Sequence, residues 1–118
     1  LKELAVEAER LGRSIEIMQS NEEGVLVTAL QDARDKATSI LFNLAAYTHT
    51  SIALRDALAM FDGPKVEVHL SNNDSREKFR QVSLTAGVSD GSVVGFGADS
   101  FYLGLNAVHR LLRKREGA

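Results

Sequence analysis

"SILFNLAAYTHTSIALRDALAMFDGPKVEVHLSN", residues 39–72, reads as strand, helix, strand. "SILF" at 39–42 has the apolar run of a short buried strand. Thr50 or Ser51 is placed to cap a helix whose apolar side carries Ile52, Leu54, Ala57, Leu58 and Phe61. Gly63-Pro64 is a turn pair, and "KVEVHL" at 65–70 alternates, with Val66, Val68 and Leu70 on one face. Outward from this unit the same alternation continues. Leu1, Leu4, Ala5, Ala8 and Leu11 recur at helical spacing, with Gly12 where a helix would stop. "SIEIM" at 14–18 predicts a short strand. "SNEE" at 20–23 offers Ser20 as a helix cap with Glu23 three residues on, followed by Leu26, Leu30, Ala33 and Ala37. Downstream, "DSREKFR" at 74–80 predicts a short helix and "SVVGF" at 92–96 a last strand. A closing helix carries Phe101, Leu105, Val108 and Leu112. Strict alternation of helix and strand predicts an α/β fold, an open parallel sheet with helices on both faces, in one domain over residues 1–118.

The composition narrows the function. The chain has 118 residues, 44% hydrophobic and 25% charged, the profile of a globular domain. A net charge of -2 and a pI near 5.9 give no electrostatic footprint for nucleic acid or an anionic membrane. Cysteine is absent, which excludes disulfides, thiolate nucleophiles and Cys-based metal sites and fits a cytoplasmic protein. No apolar run approaches the ~20 residues needed to cross a bilayer. The first residues are charged and amphipathic, so no signal peptide is read there. The first residue is not Met, so the expectation is a chain that begins within a longer protein. "RLLRKR" at 110–115 reads as cations at a helix C-terminus rather than a binding patch.

In open parallel sheets ligands gather beyond the carboxyl ends of the strands. The polar tracts follow that rule: "QSN" after the first strand, "NLAAYTHTS" after the second, "HLSNN" after the third and "GFGAD" after the last. Glu67 and His69 are the sharpest anomaly. Alternate strand residues point the same way, ~7 Å apart, and a strand buried on both faces should read apolar throughout. Either this is an edge strand with a solvated polar face, or the carboxylate and imidazole have partners in a site. His49 and His69 fall at the same rim, which favours a site over two isolated backbone-bonded histidines. No histidine spacing suits a metal. Arg76 and Arg80, four apart, would share one side of a short helix and could hold an anion. Residues 70–72, just past a strand end, are placed to bind a carboxylate through backbone N–H groups. "GVSDG" at 87–91 matches a nucleophile-elbow string but precedes a strand instead of following one. "GFGADS" at 95–100 lacks the third Gly of a dinucleotide loop. No lysine sits at an apolar strand end, so Schiff-base chemistry has no candidate.

Taken together, "QSNEEG", "AYTHTSIALRDAL", "VEVHLSN", "REKFR" and "GFGA" resemble the type II dehydroquinases, in that family's order and spacing. The resemblance implies a flavodoxin-like fold and a cofactor-free dehydration of 3-dehydroquinate to 3-dehydroshikimate, in the shikimate or quinate pathway. The reaction would be an anti elimination through an enolate. By position, His69 resembles the general acid for the departing hydroxyl and Asn43 the residue that holds a water at the enolate oxygen. Glu67 resembles an orienting partner. His49 and Arg80 match contacts to substrate hydroxyls, and Leu70 and Ser71 match the grip on the substrate carboxylate. Asp56 matches a residue that reaches into a neighbouring subunit's site, which implies a homo-oligomer built from trimers, in the family a dodecamer. Leu44-Ala45 stands where the family usually has Pro-Gly, and Glu22 where it often has His.

Family members open with a strand ending in "GPNLN"-like residues and a mobile lid that supplies an Arg and the proton-abstracting Tyr. The resemblance therefore implies that the first, central strand and the base lie outside these 118 residues. Tyr47 matches a different family tyrosine. The segments at 14–18 and 39–43 are expected to flank the place of that strand, ~10 Å apart. The favoured reading is an enzyme whose N-terminal segment is not among these residues. The alternative is a non-catalytic ligand-binding or assembly relative without the lid.

Overall fold

The computed structural model describes residues 2–117. Seven elements carry the fold: α1 (Lys2–Arg10), α2 (Glu23–Lys36), β1 (Ile40–Phe42), α3 (Ile52–Ala59), β2 (Lys65–His69), β3 (Gly91–Val94) and α4 (Asp99–Arg115). The three strands form one parallel sheet in the order β1-β2-β3. Ile40 lies opposite Lys65 in the first pair, and His69 opposite Val94 in the second. α3 makes the crossover from β1 to β2, while β2 and β3 are joined by a long connection of 3₁₀ turns between residues 73 and 88.

The two faces are built by alternation. Phe42 turns to one side and packs with Leu30 of α2 and with Leu54, Ala57 and Leu58 of α3. Leu41 turns to the other and meets the clusters formed by Leu4 and Ala8 of α1 and by Leu105, Val108 and Leu112 of α4. Leu54 and Leu58 are fully buried, each worth about 1.5–3 kcal/mol of removal from water. Val68 faces α4 so closely that a Cβ on Gly104 would lie 2.8 Å from its Cγ2. Glu67 and His69 therefore point the opposite way, toward the α3 side.

The helix ends follow local chemistry in part. Gly12 ends the first helical segment at φ +77. Ser51 caps α3, its Oγ accepting from the Leu54 N–H at 3.0 Å. At α2 the expected Ser20 cap is displaced. The helix starts at Glu23, its cap residue Glu22 has no side-chain bond, and Ser20 Oγ instead accepts from the Glu22 N–H at 3.0 Å. The GVSDG string ends at Gly91, where β3 begins, so it does precede a strand.

Two of the expected elements are corrected, and one open choice is decided. Residues 14–18 form no strand. Among the described residues they have no ladder partner; Ile15 packs against the α1–α4 cluster while Ile17 and Met18 stay exposed. β1 likewise pairs on one side only, with β2. Residues 74–80 form two 3₁₀ turns, Asn73–Ser75 and Lys78–Gln81, and not one helix. Asn72 Oδ1 accepts from the Asp74 N–H and Ser75 Oγ donates to the Asn72 carbonyl, local bonds that compete with helical ones. Lastly, β2 is the central strand of the three, which removes the edge-strand explanation of Glu67 and His69.

Candidate active site

A cleft of about 230 Å³ opens beyond the carboxyl ends of β1 and β2. It is lined by Asn43, Ala45 and Ala46 after β1, by His69, Leu70 and Ser71 at the end of β2, and by His49, Asn73, Arg76 and Arg80. No carboxylate is among these lining residues, so the guanidiniums of Arg76 and Arg80 give it a cationic wall suited to an anion.

Glu67 stands behind this wall, 2% exposed, and His69 is 7% exposed. His69 Nε2 lies 2.9 Å from Glu67 Oε2. Three hydroxyls complete the carboxylate's shell. Ser83 Oγ is 2.9 Å from Oε2 and 3.1 Å from Oε1, Thr48 Oγ1 is 3.1 Å from Oε1, and Thr85 donates to Oε1 as well. Burial alone would push the Glu67 carboxyl up. Hydrogen bonds from His69, Thr85 and Ser83, with the charge on His69, outweigh that and hold it below the ordinary carboxylate value. Glu67 is thus an anion and only accepts, so His69 must donate from Nε2. That leaves Nδ1 as the ring nitrogen without a partner among the described residues.

His49 is fixed through its other nitrogen. Its Nδ1 donates to the Val82 carbonyl at 2.6 Å, leaving Nε2 as the free position. The His49 ring stacks on that of His69, with centroids 6.4 Å apart, and meets the edge of Phe79 at 6.1 Å. Arg80 lies 4.8 Å over the Phe79 ring and bonds Glu77 through Nε at 2.5 Å, so its Nη groups remain for a ligand. Arg76 reaches Ser71 Oγ at 3.3 Å. Asn43 Oδ1 accepts from the Ala45 N–H at 2.9 Å, which orients its amide. Ala45 takes up φ +51, a left-handed conformation that costs an L-residue about 1–2 kcal/mol.

A family model described as dehydroquinase class II matches residues 1–109. The chain belongs to the class II dehydroquinase family. Similar curated proteins include the 3-dehydroquinate dehydratase of Trichodesmium erythraeum, 49% identical over 95% of this chain and 75% of the relative. That of Geotalea daltonii is 51% identical over 97% of this chain and 77% of the relative. Among solved structures, the type II dehydroquinase of Propionibacterium acnes superposes with a TM-score of 0.88 at 31% identity, covering 92% of this chain and 80% of that one. The flavodoxin-like class II dehydroquinase fold is therefore the fold of this chain, its three described strands and their helices included.

Against that family frame, the cleft gathers Asn43, His49, His69, Leu70, Ser71 and Arg80, with Glu67 directly behind His69. Asp56 is the exception. It lies on the exposed side of α3, paired with Arg55 at 3.0 Å, and is not among the residues lining this cleft. Tyr47 is also elsewhere, its hydroxyl donating to the Asn21 carbonyl at 2.9 Å. Reading the residues alone missed Thr48, Ser83 and Thr85. The available signal was Glu67 itself, since a carboxylate buried in a strand demands donors. Nothing in "VSLTA" said which hydroxyls would reach it. Among the described residues no group of three His, Asp or Glu side chains is arranged to hold a metal, and no helix is long and apolar enough to cross a membrane.

Proposed function

We propose that this class II dehydroquinase removes water from 3-dehydroquinate to give 3-dehydroshikimate, by anti elimination through an enolate and without a Schiff base. The observation that carries the reading is the dyad at the cleft wall: His69 bonded to a buried Glu67 anion through Nε2, with Nδ1 unpartnered. An imidazolium so held donates its Nδ1 proton to the departing hydroxyl and ends as the neutral Nε2–H tautomer. The leaving group departs as water. Asn43 holds a water against the developing enolate oxygen. Ser71 and the backbone of Leu70 grip the substrate carboxylate, and His49 and Arg80 contact its hydroxyls. Tyr47, committed to the Asn21 carbonyl, does not serve as the base that starts the elimination.

Asp56 acts across a subunit boundary in this reading, in a homo-oligomer built from trimers, a dodecamer in its full form. The enzyme works in the cytoplasm, in the shikimate or quinate pathway, on a small-molecule substrate. The test is turnover by the full-length protein, followed through the ultraviolet absorbance of the conjugated enone product. Wild type converts 3-dehydroquinate, and His69→Ala lowers kcat roughly 10²–10⁴-fold while the protein stays folded. Wild-type turnover in that variant, or a folded wild type that binds the substrate without converting it, would reject the reading. The second result would favour the non-catalytic relative.

A further inference from the structure

We infer that Thr48, Ser83 and Thr85 are positioning residues for this reaction: their hydroxyls donate to both oxygens of Glu67, and so fix the direction in which His69 passes its proton. The inference rests on the dehydratase reading and deepens it. Thr48 and Thr85 are completely buried, and Thr48 Oγ1 lies 2.8 Å from Ser83 Oγ and 2.5 Å from Thr85 Oγ1. A hydroxyl has one proton to give, so three hydroxyls and one imidazole N–H supply four donors to one carboxylate. No buried side-chain polar atom among the described residues lacks a partner.

The consequence for proton transfer follows from the shared acceptor. With its lone pairs engaged by hydroxyls, Glu67 is a weak base toward the His69 Nε2 proton. The imidazolium then loses its Nδ1 proton to the leaving hydroxyl and keeps the one at Nε2, and solvent restores Nδ1 afterwards. The hydroxyls also join two segments that carry the cleft. Thr48 follows Tyr47 in the 3₁₀ turn Ala45–His49, and its carbonyl accepts from the Leu84 N–H at 2.7 Å, while His49 bonds the Val82 carbonyl. The charged and titratable groups facing His69 are Glu67 on its own strand, His49, and Arg76 and Arg80 across the cleft.

The test is a double-mutant cycle in the full-length protein, with Thr85→Val and Thr85→Ser each made in wild type and in Glu67→Gln. Thr85→Val should lower kcat about tenfold or more with little change in KM, Thr85→Ser should restore it, and Thr85→Val should add no further loss on the residual turnover of Glu67→Gln. A second readout needs no turnover. Thr85→Val should raise the pH at which thermal stability is lost on acidification, Thr85→Ser should not, and the shift should vanish in Glu67→Gln. Equal effects in both backgrounds, or no effect of Thr85→Val on either readout, overturn the inference. If Thr85→Val fails to fold, Ser83→Ala at its half-buried position supplies the same cycle. Absence of turnover in wild type would reject the dehydratase reading. The acid midpoints would still decide whether the hydroxyls act on Glu67.

Discussion

Glu67 and Ala45 each hold a state that the fold imposes, and each state can be titrated or relieved. Glu67 is ionised in the interior, with its folded carboxyl held below the ordinary 4.5. A group whose folded value is depressed contributes stability that is complete above its unfolded value and disappears as pH falls through the folded one. Thermal melts from about pH 6 to about pH 2 should therefore show an acid-side loss in wild type that is diminished in Glu67→Gln. Identical acid profiles would mean that Glu67 carries none of the dependence. Ala45 holds the second such state, at φ +51, where its Cβ meets the following carbonyl. Ala45→Gly removes that strain and costs unfolded-chain entropy. The balance is a gain of up to about 1 kcal/mol in chemical denaturation. A loss of stability would show that the left-handed turn is not strained.

At the scale of elements, the joints matter more than the strands, which are only three to five residues long. The turn from α3 into β2 passes Gly63, where a Cβ would come 2.5 Å from the Thr38 carbonyl oxygen and 2.7 Å from Phe61 Cε1. Phe61 is 3% exposed and the carbonyl is backbone, so neither can yield cheaply. Pro64 follows, and its carbonyl accepts from the Ile40 N–H at 2.9 Å, which ties the turn to the start of β1. Gly63→Ala should destabilise by about 1–3 kcal/mol, read as a lower midpoint in urea, with the far-ultraviolet spectrum unchanged. An unchanged midpoint would show that the turn relaxes freely. The effect should reach the active site, because β2 carries Glu67 and His69 and its register begins at this turn.

For the whole molecule, the outer side of α3 is the surface with most to explain. Ile52, Asp56 and Met60 stand four apart on one stripe, with Ile52 65% and Met60 59% exposed. Under the proposed assembly this stripe meets another subunit, so Asp56→Ala should weaken substrate binding or shift sedimentation toward smaller species. A fully active monomer would contradict both. How much of this was legible beforehand depends on the range of the forces involved. The order of α2, β1, α3 and β2, the Gly12 stop, a cap at Thr50 or Ser51 and the strand ends at Asn43 and His69 are set by local backbone preference and hydrophobic period. They could be read in order along the chain. The presence of a carboxylate and an imidazole at 67 and 69 on one face was equally legible. Residues 14–18 were not, because a strand exists only through its ladder partner, and alternation such as Ile15 and Ile17 supply cannot create one. The helix expected at 74–80 failed because Asn72 and Ser75 offered the backbone nearer partners. The ionisation of Glu67 was beyond the reach of sequence because partners distant along the chain decide it. Beyond His69, it depends on Thr85 and Ser83, 18 and 16 residues away along the chain, which meet the carboxylate only when β2 becomes the centre of the sheet and offset the burial that opposes its charge.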